Sequence, residues 1–153
     1  MTAFTVSLMV TGAGSLLKTV ASMKAGAAEG IKAGTNVWTV SDGGCLLAAD
    51  SASGVVFGDA ASPDRINELH VRGAGSVADF SRASAVTFSG ETDLTVSDGA
   101  VLALPASVAL AGNTAGKRGT VTVDGADSVI CLTNVSGTSK LSVGSSSEGV
   151  FSL

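Results

Sequence analysis

Eleven residues, LTVSDGAVLAL from Leu94 to Leu104, nearly restate WTVSDGGCLLA from Trp38 to Ala48, 56 residues earlier. Such self-similarity narrows the fold more than composition does, because a chain that repeats a short unit builds the same supersecondary piece each time. Two related families of segment carry the repeat. The first reads LMVTGAGS at Leu8, LHVRGAGS at Leu69 and VTVDGADS at Val121. The second reads WTVSDGG at Trp38, LTVSDGA at Leu94 and, more loosely, LSVGSSS at Leu141. They alternate strictly, and successive starts lie 30, 31, 25, 27 and 20 residues apart.

Each copy has one physical form. Apolar and polar residues alternate through its first half (Leu8 and Val10, Leu69 and Val71, Leu94 and Val96), the period of a half-buried strand. A turn of small residues follows, where Gly reaches backbone angles closed to most residues and Asp or Ser bonds the turn's own backbone. A second apolar segment then begins: CLLAA at Cys45, VLAL at Val101, VICL at Val129. Strand, corner, strand and loop at this spacing predict a single all-β domain over residues 1–153. Its expected form is a right-handed, single-stranded parallel β-helix of about five to six coils, stacked about 4.8 Å apart. A β-sandwich also uses short strands and turns, but it does not require corners at a fixed offset from the preceding Val. One stretch departs from the pattern. Leu16, Val20, Met23, Ala27 and Ile31 have helical spacing, so residues 16–34 read either as a short helix capping or flanking the first coil, despite Gly26 and Gly30, or as an ordinary coil with small residues.

Composition excludes several classes of function. A net charge of −4 and basic residues that stand singly, apart from Lys117-Arg118, leave no patch for nucleic acid. The early apolar stretch FTVSLMVTGAGSLL has no preceding positive charge and is broken by GAGS, so it reads neither as a signal peptide nor as a membrane helix. An export signal is therefore expected outside this chain, and this segment is expected not to insert into a membrane. Cys45 and Cys131 lie far apart in sequence with no CxxC, and read as small buried hydrophobes.

The run from Gly119 to Leu153, GTVTVDGADSVICLTNVSGTSKLSVGSSSEGVFSL, resembles the repeats of autotransporter passenger domains and related bacterial surface adhesins. The likeness is one of repeat style and recurs over most of the chain. Phage tail spikes and polysaccharide lyases share the architecture. The resemblance implies a slice of a longer solenoid at the bacterial cell surface or in the medium, serving as stalk and display platform. Its partners would be a host-surface protein or glycan, or neighbouring copies of itself stacked end to end. It implies no catalysis and no cofactor.

Candidate chemistry is sparse. Asp42 and Asp98, in the twin SDG corners, are expected in one column two coils apart. That spacing, about 9.6 Å, is near that of an inverting glycosidase's carboxyl pair, although Asp before Gly is also the ordinary corner residue. An enzyme acting on polysaccharide is thus the alternative function, and a filament or sheath a further one. His70, the only histidine, should point outward from its strand, and Asp124 with Asp127 are too few for a calcium cage. GAGS lacks the spacing of a phosphate loop. Asn134-Val-Ser136 matches a glycosylation sequon. The excursions between coils are the expected binding loops: Asp64, Arg65 and Glu68 in GDAASPDRINE, and Lys117 and Arg118 in AGNTAGKRG.

Overall fold

A computed structural model describes residues 4–25, 33–48, 54–58, 64–110, 116–133, 139–143 and 149–153. Their strands follow one another three to a coil. The first coil is β1 (Phe4–Thr11), β2 (Leu16–Thr19) and β3 (Met23–Ala25); the second is β4 (Ala33–Ser41), β5 (Cys45–Ala48) and β6 (Gly54–Phe57). The third is β7 (Asp64–Arg72), β8 (Val77–Asp79) and β9 (Ala85–Phe88), and the fourth is β10 (Glu91–Ser97), β11 (Val101–Pro105) and β12 (Ser107–Leu110). Then come β13 (Gly119–Asp124), β14 (Val129–Thr133) and β15 (Lys140–Val143), and finally β16 (Gly149–Ser152). Every pairing joins strands three apart in the chain, and all are parallel. The result is a β-solenoid with walls β1-β4-β7-β10-β13-β16, β2-β5-β8-β11-β14 and β3-β6-β9-β12-β15.

The repeat is the reason for the register. Because side chains alternate across a strand, in-register stacking puts like residues in columns. Trp38, Leu69, Leu94 and Val121 form one buried column, and Val10, Val40, Val71 and Val96 the next. The other two walls add Leu46, Ala78 and Leu102, and Val55 and Val86. The core is less uniform than a Val, Leu and Ala filling. Phe57 stacks on Phe88 with ring centroids 4.6 Å apart, and Trp38 lies 4.5 Å from Phe57 at a tilt. Phe80 joins them at 6.4 Å from Phe57. Most of the chain's few aromatics thus gather in the second and third coils.

Corners between the first and second walls come in two alternating lengths. In the second and fourth coils three residues make the turn, and Asp42-Gly43 and Asp98-Gly99 all have positive φ, as a type I′ turn requires. The turns close with Gly44 N–H donating to Ser41 O (2.9 Å) and Ala100 N–H to Ser97 O (3.2 Å). In the first, third and fifth coils four residues make the turn, with positive φ at Gly12 and Gly14, at Gly73 and Gly75, and at Gly125 and Asp127. A serine ends each longer corner, and in the third and fifth coils it joins that corner to the shorter one before it. Ser76 Oγ accepts from Gly43 N–H and donates to Arg72 O; Ser128 Oγ accepts from Gly99 N–H and donates to Asp124 O.

Two expectations are corrected. No helix occurs among the described residues: residues 16–19 and 23–25 are strands, and residues 26–32 lie outside the description. The helical spacing of Leu16, Val20 and Met23 spans two strands and the bend between them. There Leu17 aligns with Leu46 and Met23 with Val55, so ladder pairing with the second coil overrides the local period. Leu141 does not begin a sixth copy of the first wall. It belongs to β15 in the third wall, aligned with Val108, and the first wall continues at Gly149, 30 residues after Gly119. An L-x-V pattern marks a strand without saying which wall it joins; the corner after it does that.

Candidate functional site

The two excursions singled out in the sequence meet. Lys117 Nζ lies 2.9 Å from Asp64 Oδ1, bridging a sequence separation of 53 residues. The ladder explains the contact, since β7 and β13 flank β10. Arg118 is exposed beside them, and its carbonyl accepts the Thr92 N–H (3.0 Å). Asp64, Arg65 and Glu68, however, are not in a loop: they open β7. Alternation in DRINELHVR sends Arg65, Asn67, Leu69 and Val71 inward. The parity of these four residues was readable; Pro63 and three charges obscured it.

Arg65 is consequently buried, and no part of an exposed binding surface. It heads an internal polar ladder. Its Nη1 donates to Asn36 Oδ1 (3.4 Å), Asn36 Nδ2 donates to Asn67 Oδ1 (2.8 Å), and Asn67 Nδ2 donates to the Ser89 carbonyl. Asn36, Asn67 and Thr92 align on successive strands, all buried. Buried amides and a guanidinium are costly unless bonded, and here each finds its partner within the stack.

Glu68 lies on the outer face of β7, half-buried, with His70 Nε2 3.2 Å from its Oε2. Its ladder partner on β10 is Asp93, whose Oδ1 accepts from Thr95 Oγ1 (3.3 Å). The outer face thus carries Glu68, His70 and Asp93 together, a juxtaposition invisible without the register. Among the described residues no three His, Cys, Asp or Glu side chains are placed to hold a metal.

The register places Asp42 and Asp98 in one corner column, two coils apart with Gly73 between them. Thr11 Oγ1 (2.9 Å) and Ser41 Oγ (3.0 Å) both donate to Asp42 Oδ2. These bonds, Thr11's first, hold the Asp42 carboxyl below its ordinary value near 3.8, with a smaller contribution from Arg72. A glycosidase's general acid needs the opposite shift. Ser97 Oγ donates to Asp98 Oδ2 (3.0 Å), so each carboxylate is engaged by its own corner. Asp127 occupies the positive-φ place that Gly14 and Gly75 hold in the other long corners, and so acts as a turn residue.

The cysteines are free and only half-buried, on the outer face of the second wall. Their inward neighbours, Leu46 beside Cys45 and Ile130 and Leu132 beside Cys131, face the core. Burial, and then the charge of Asp79, push the Cys45 thiol up, so it stays protonated. A shallow cleft of about 430 Å³ lies at the first corner, lined by Met9, Val10, Thr11, Ser15, Leu16 and Leu17. Asn134 and Ser136 lie outside the described residues. No family model, curated protein or solved structure matches the chain.

Proposed function

We propose that the chain is a non-enzymatic structural module of a bacterial cell-surface or secreted protein, a stiff stalk whose sides display binding surfaces. One observation carries this reading: the residues that recur along the sequence are spent on holding coil to coil. Asp42 and Asp98 shape and brace corners, Ser76 and Ser128 tie each long corner to the short one before it, and Asn36 and Asn67 bond inside the wall. Such a one-dimensional stack gains stability from each neighbour contact and extends without changing its unit. The outer-face residues Glu68, His70, Asp93, Asp64, Lys117 and Arg118 would then supply contacts to a host-surface protein, a glycan or a neighbouring copy.

The test is an immunoblot of native cells fractionated into cytosol, envelope and medium, with antibody raised to this chain. A band at the envelope or in the medium is the expected result, and confinement to the cytosol would overturn the reading. The alternative, a polysaccharide-cleaving enzyme, predicts turnover of acidic polysaccharides that Asp42→Asn or Asp98→Asn abolishes.

A further inference from the structure

The short corners require a dipeptide that is chemically fragile. Two successive residues there have positive φ, which Asp-Gly supplies at Asp42-Gly43 (54° and 81°) and Asp98-Gly99 (58° and 78°). The same pair is the most open to isomerisation, because glycine puts no side chain in the way of its own nitrogen. That nitrogen gives up its proton and attacks the Asp Cγ. A C–N bond forms, a succinimide ring closes, and the carboxyl oxygen leaves as water. Water then reopens the ring, and opening at the former main-chain carbonyl leaves isoaspartate. The net change is an isomerisation, with no oxidant or reductant consumed. The product carries Cβ in the main chain and cannot hold the turn in register. Nor can the corner take a bulkier, slower residue, since a Cβ on Gly43 would lie 3.2 Å from Ala13 Cα.

Two features of the corners oppose this reaction. One acts on the nucleophile. Gly43 N–H donates to Ser76 Oγ and Gly99 N–H to Ser128 Oγ, each at 3.0 Å. Each hydroxyl gives its own proton to a carbonyl of its own corner, Arg72 O at 2.7 Å and Asp124 O at 2.6 Å, which leaves a lone pair for the glycine amide. An amide proton held in this way is harder to remove. The other feature acts on the electrophile. Thr11 and Ser41 both donate to the Asp42 carboxylate and favour its ionised form, which a nitrogen attacks least readily. Asp98 receives one such bond, from Ser97.

We propose that Asp42-Gly43 and Asp98-Gly99 are latent isomerisation sites, and that Ser76 and Ser128 keep them closed by holding the glycine amide from the next coil. The two serines then protect the covalent chain as well as joining coil to coil. Their protection is unequal. Ser76 is buried and guards an Asp that accepts two side-chain bonds; Ser128 is half-buried and guards an Asp that accepts one. Asp98 therefore converts before Asp42. This protection operates wherever the protein works, and does not depend on a place at the cell surface.

Ageing the 153-residue chain for weeks in warm neutral buffer, with isoaspartate at each Asp-Gly pair counted by peptide mass spectrometry, tests it. In the folded wild type both sites should convert far more slowly than in the chain held unfolded in urea, with Asp98 ahead of Asp42. Ser128→Ala should raise the rate at Asp98 about tenfold, the rate equivalent of one hydrogen bond to the attacking nitrogen, and leave Asp42 unchanged. Ser76→Ala should do the converse. Ser128→Thr keeps the hydroxyl and should age as the wild type does. Val108→Ala, which loosens the core without touching a corner, should change neither site. Equal rates in the folded wild type and in urea overturn the proposal, as does a Ser128→Ala rate at Asp98 no faster than that of the wild type. A rise at Asp42, Asp98 and Asp124 together in Ser128→Ala also overturns it, because that pattern is loss of folding and not release of one amide.

Discussion

The corners at Ser41–Gly44 and Ser97–Ala100 share Ser-Asp-Gly, a positive-φ Asp-Gly pair and a closing hydrogen bond, yet they do not have the same environment. A Cβ added to Gly44 would lie 2.5 Å from Val10 O and 2.9 Å from Val10 C, backbone that cannot swing aside. The same place in the other corner holds a methyl group already, that of fully buried Ala100. Asp42 receives a bond from Thr11 in the coil before it, whereas the residue aligned at that place before Asp98 is Arg72. Local sequence therefore decides the turn, and the neighbouring coil decides what the turn tolerates. Near-identical letters are identical in backbone and different in packing.

The largest expected effect comes from filling the tighter corner. Gly44→Ala should cost about 3 kcal/mol, since a side chain forced against fixed backbone displaces the first coil. It should lower the thermal midpoint by about 6–12 °C, with hydrogen exchange accelerated first in β1 and β2. A midpoint within a degree or so of wild type would mean that the two corners are equivalent after all. Next are the serine ties. Ser76→Ala leaves the Gly43 N–H without its acceptor at a buried site and should cost about 2 kcal/mol; Ser128→Ala, half-buried, about 1 kcal/mol. Denaturant unfolding would show whether that order holds. Ala100→Gly should cost about 1 kcal/mol, from the lost methyl burial and the freer unfolded chain, and so less than the reverse exchange at Gly44.

Much of this was legible in the sequence. Period-two alternation revealed the strands, and Asp-Gly and Gly-Ala-Gly-Ser the corners, because both signals are local. The wall to which a strand belongs is not local, which is why Leu141 looked like a sixth copy and residues 16–25 like part of a helix. Arg65 shows the same limit at the candidate site. Its charge pointed to solvent, while its place in the alternation pointed into the solenoid, where Asn36 one coil away makes burial tolerable. The pairing of Lys117 with Asp64, and of Glu68 with Asp93, needed the register itself.

The smallest expected effect is one of pH. Asp42 is held below its ordinary value near 3.8, so its bonds to Thr11 and Ser41 contribute stability that is complete above that value. The contribution fades as pH falls through the lower, folded value. Thr11→Val should remove the larger cause and leave a shallower loss of stability on acidification. Titration of the Asp42 carboxyl by NMR, in wild type and variant, would resolve it. Equal Asp42 titration in the two proteins would refute the assignment.

The solenoid brings segments far apart in sequence into one column of a stack. Thr11, Arg72 and Asp124 are exposed and occupy equivalent corner places, each two coils from the next. Spin labels at Thr11→Cys with Arg72→Cys, and at Arg72→Cys with Asp124→Cys, with Cys45 and Cys131 replaced by Ser, measure that directly. Two levels of parallel strands predict strong dipolar coupling at about 10 Å in both pairs. Coupling too weak to detect in either pair would contradict the stacked solenoid.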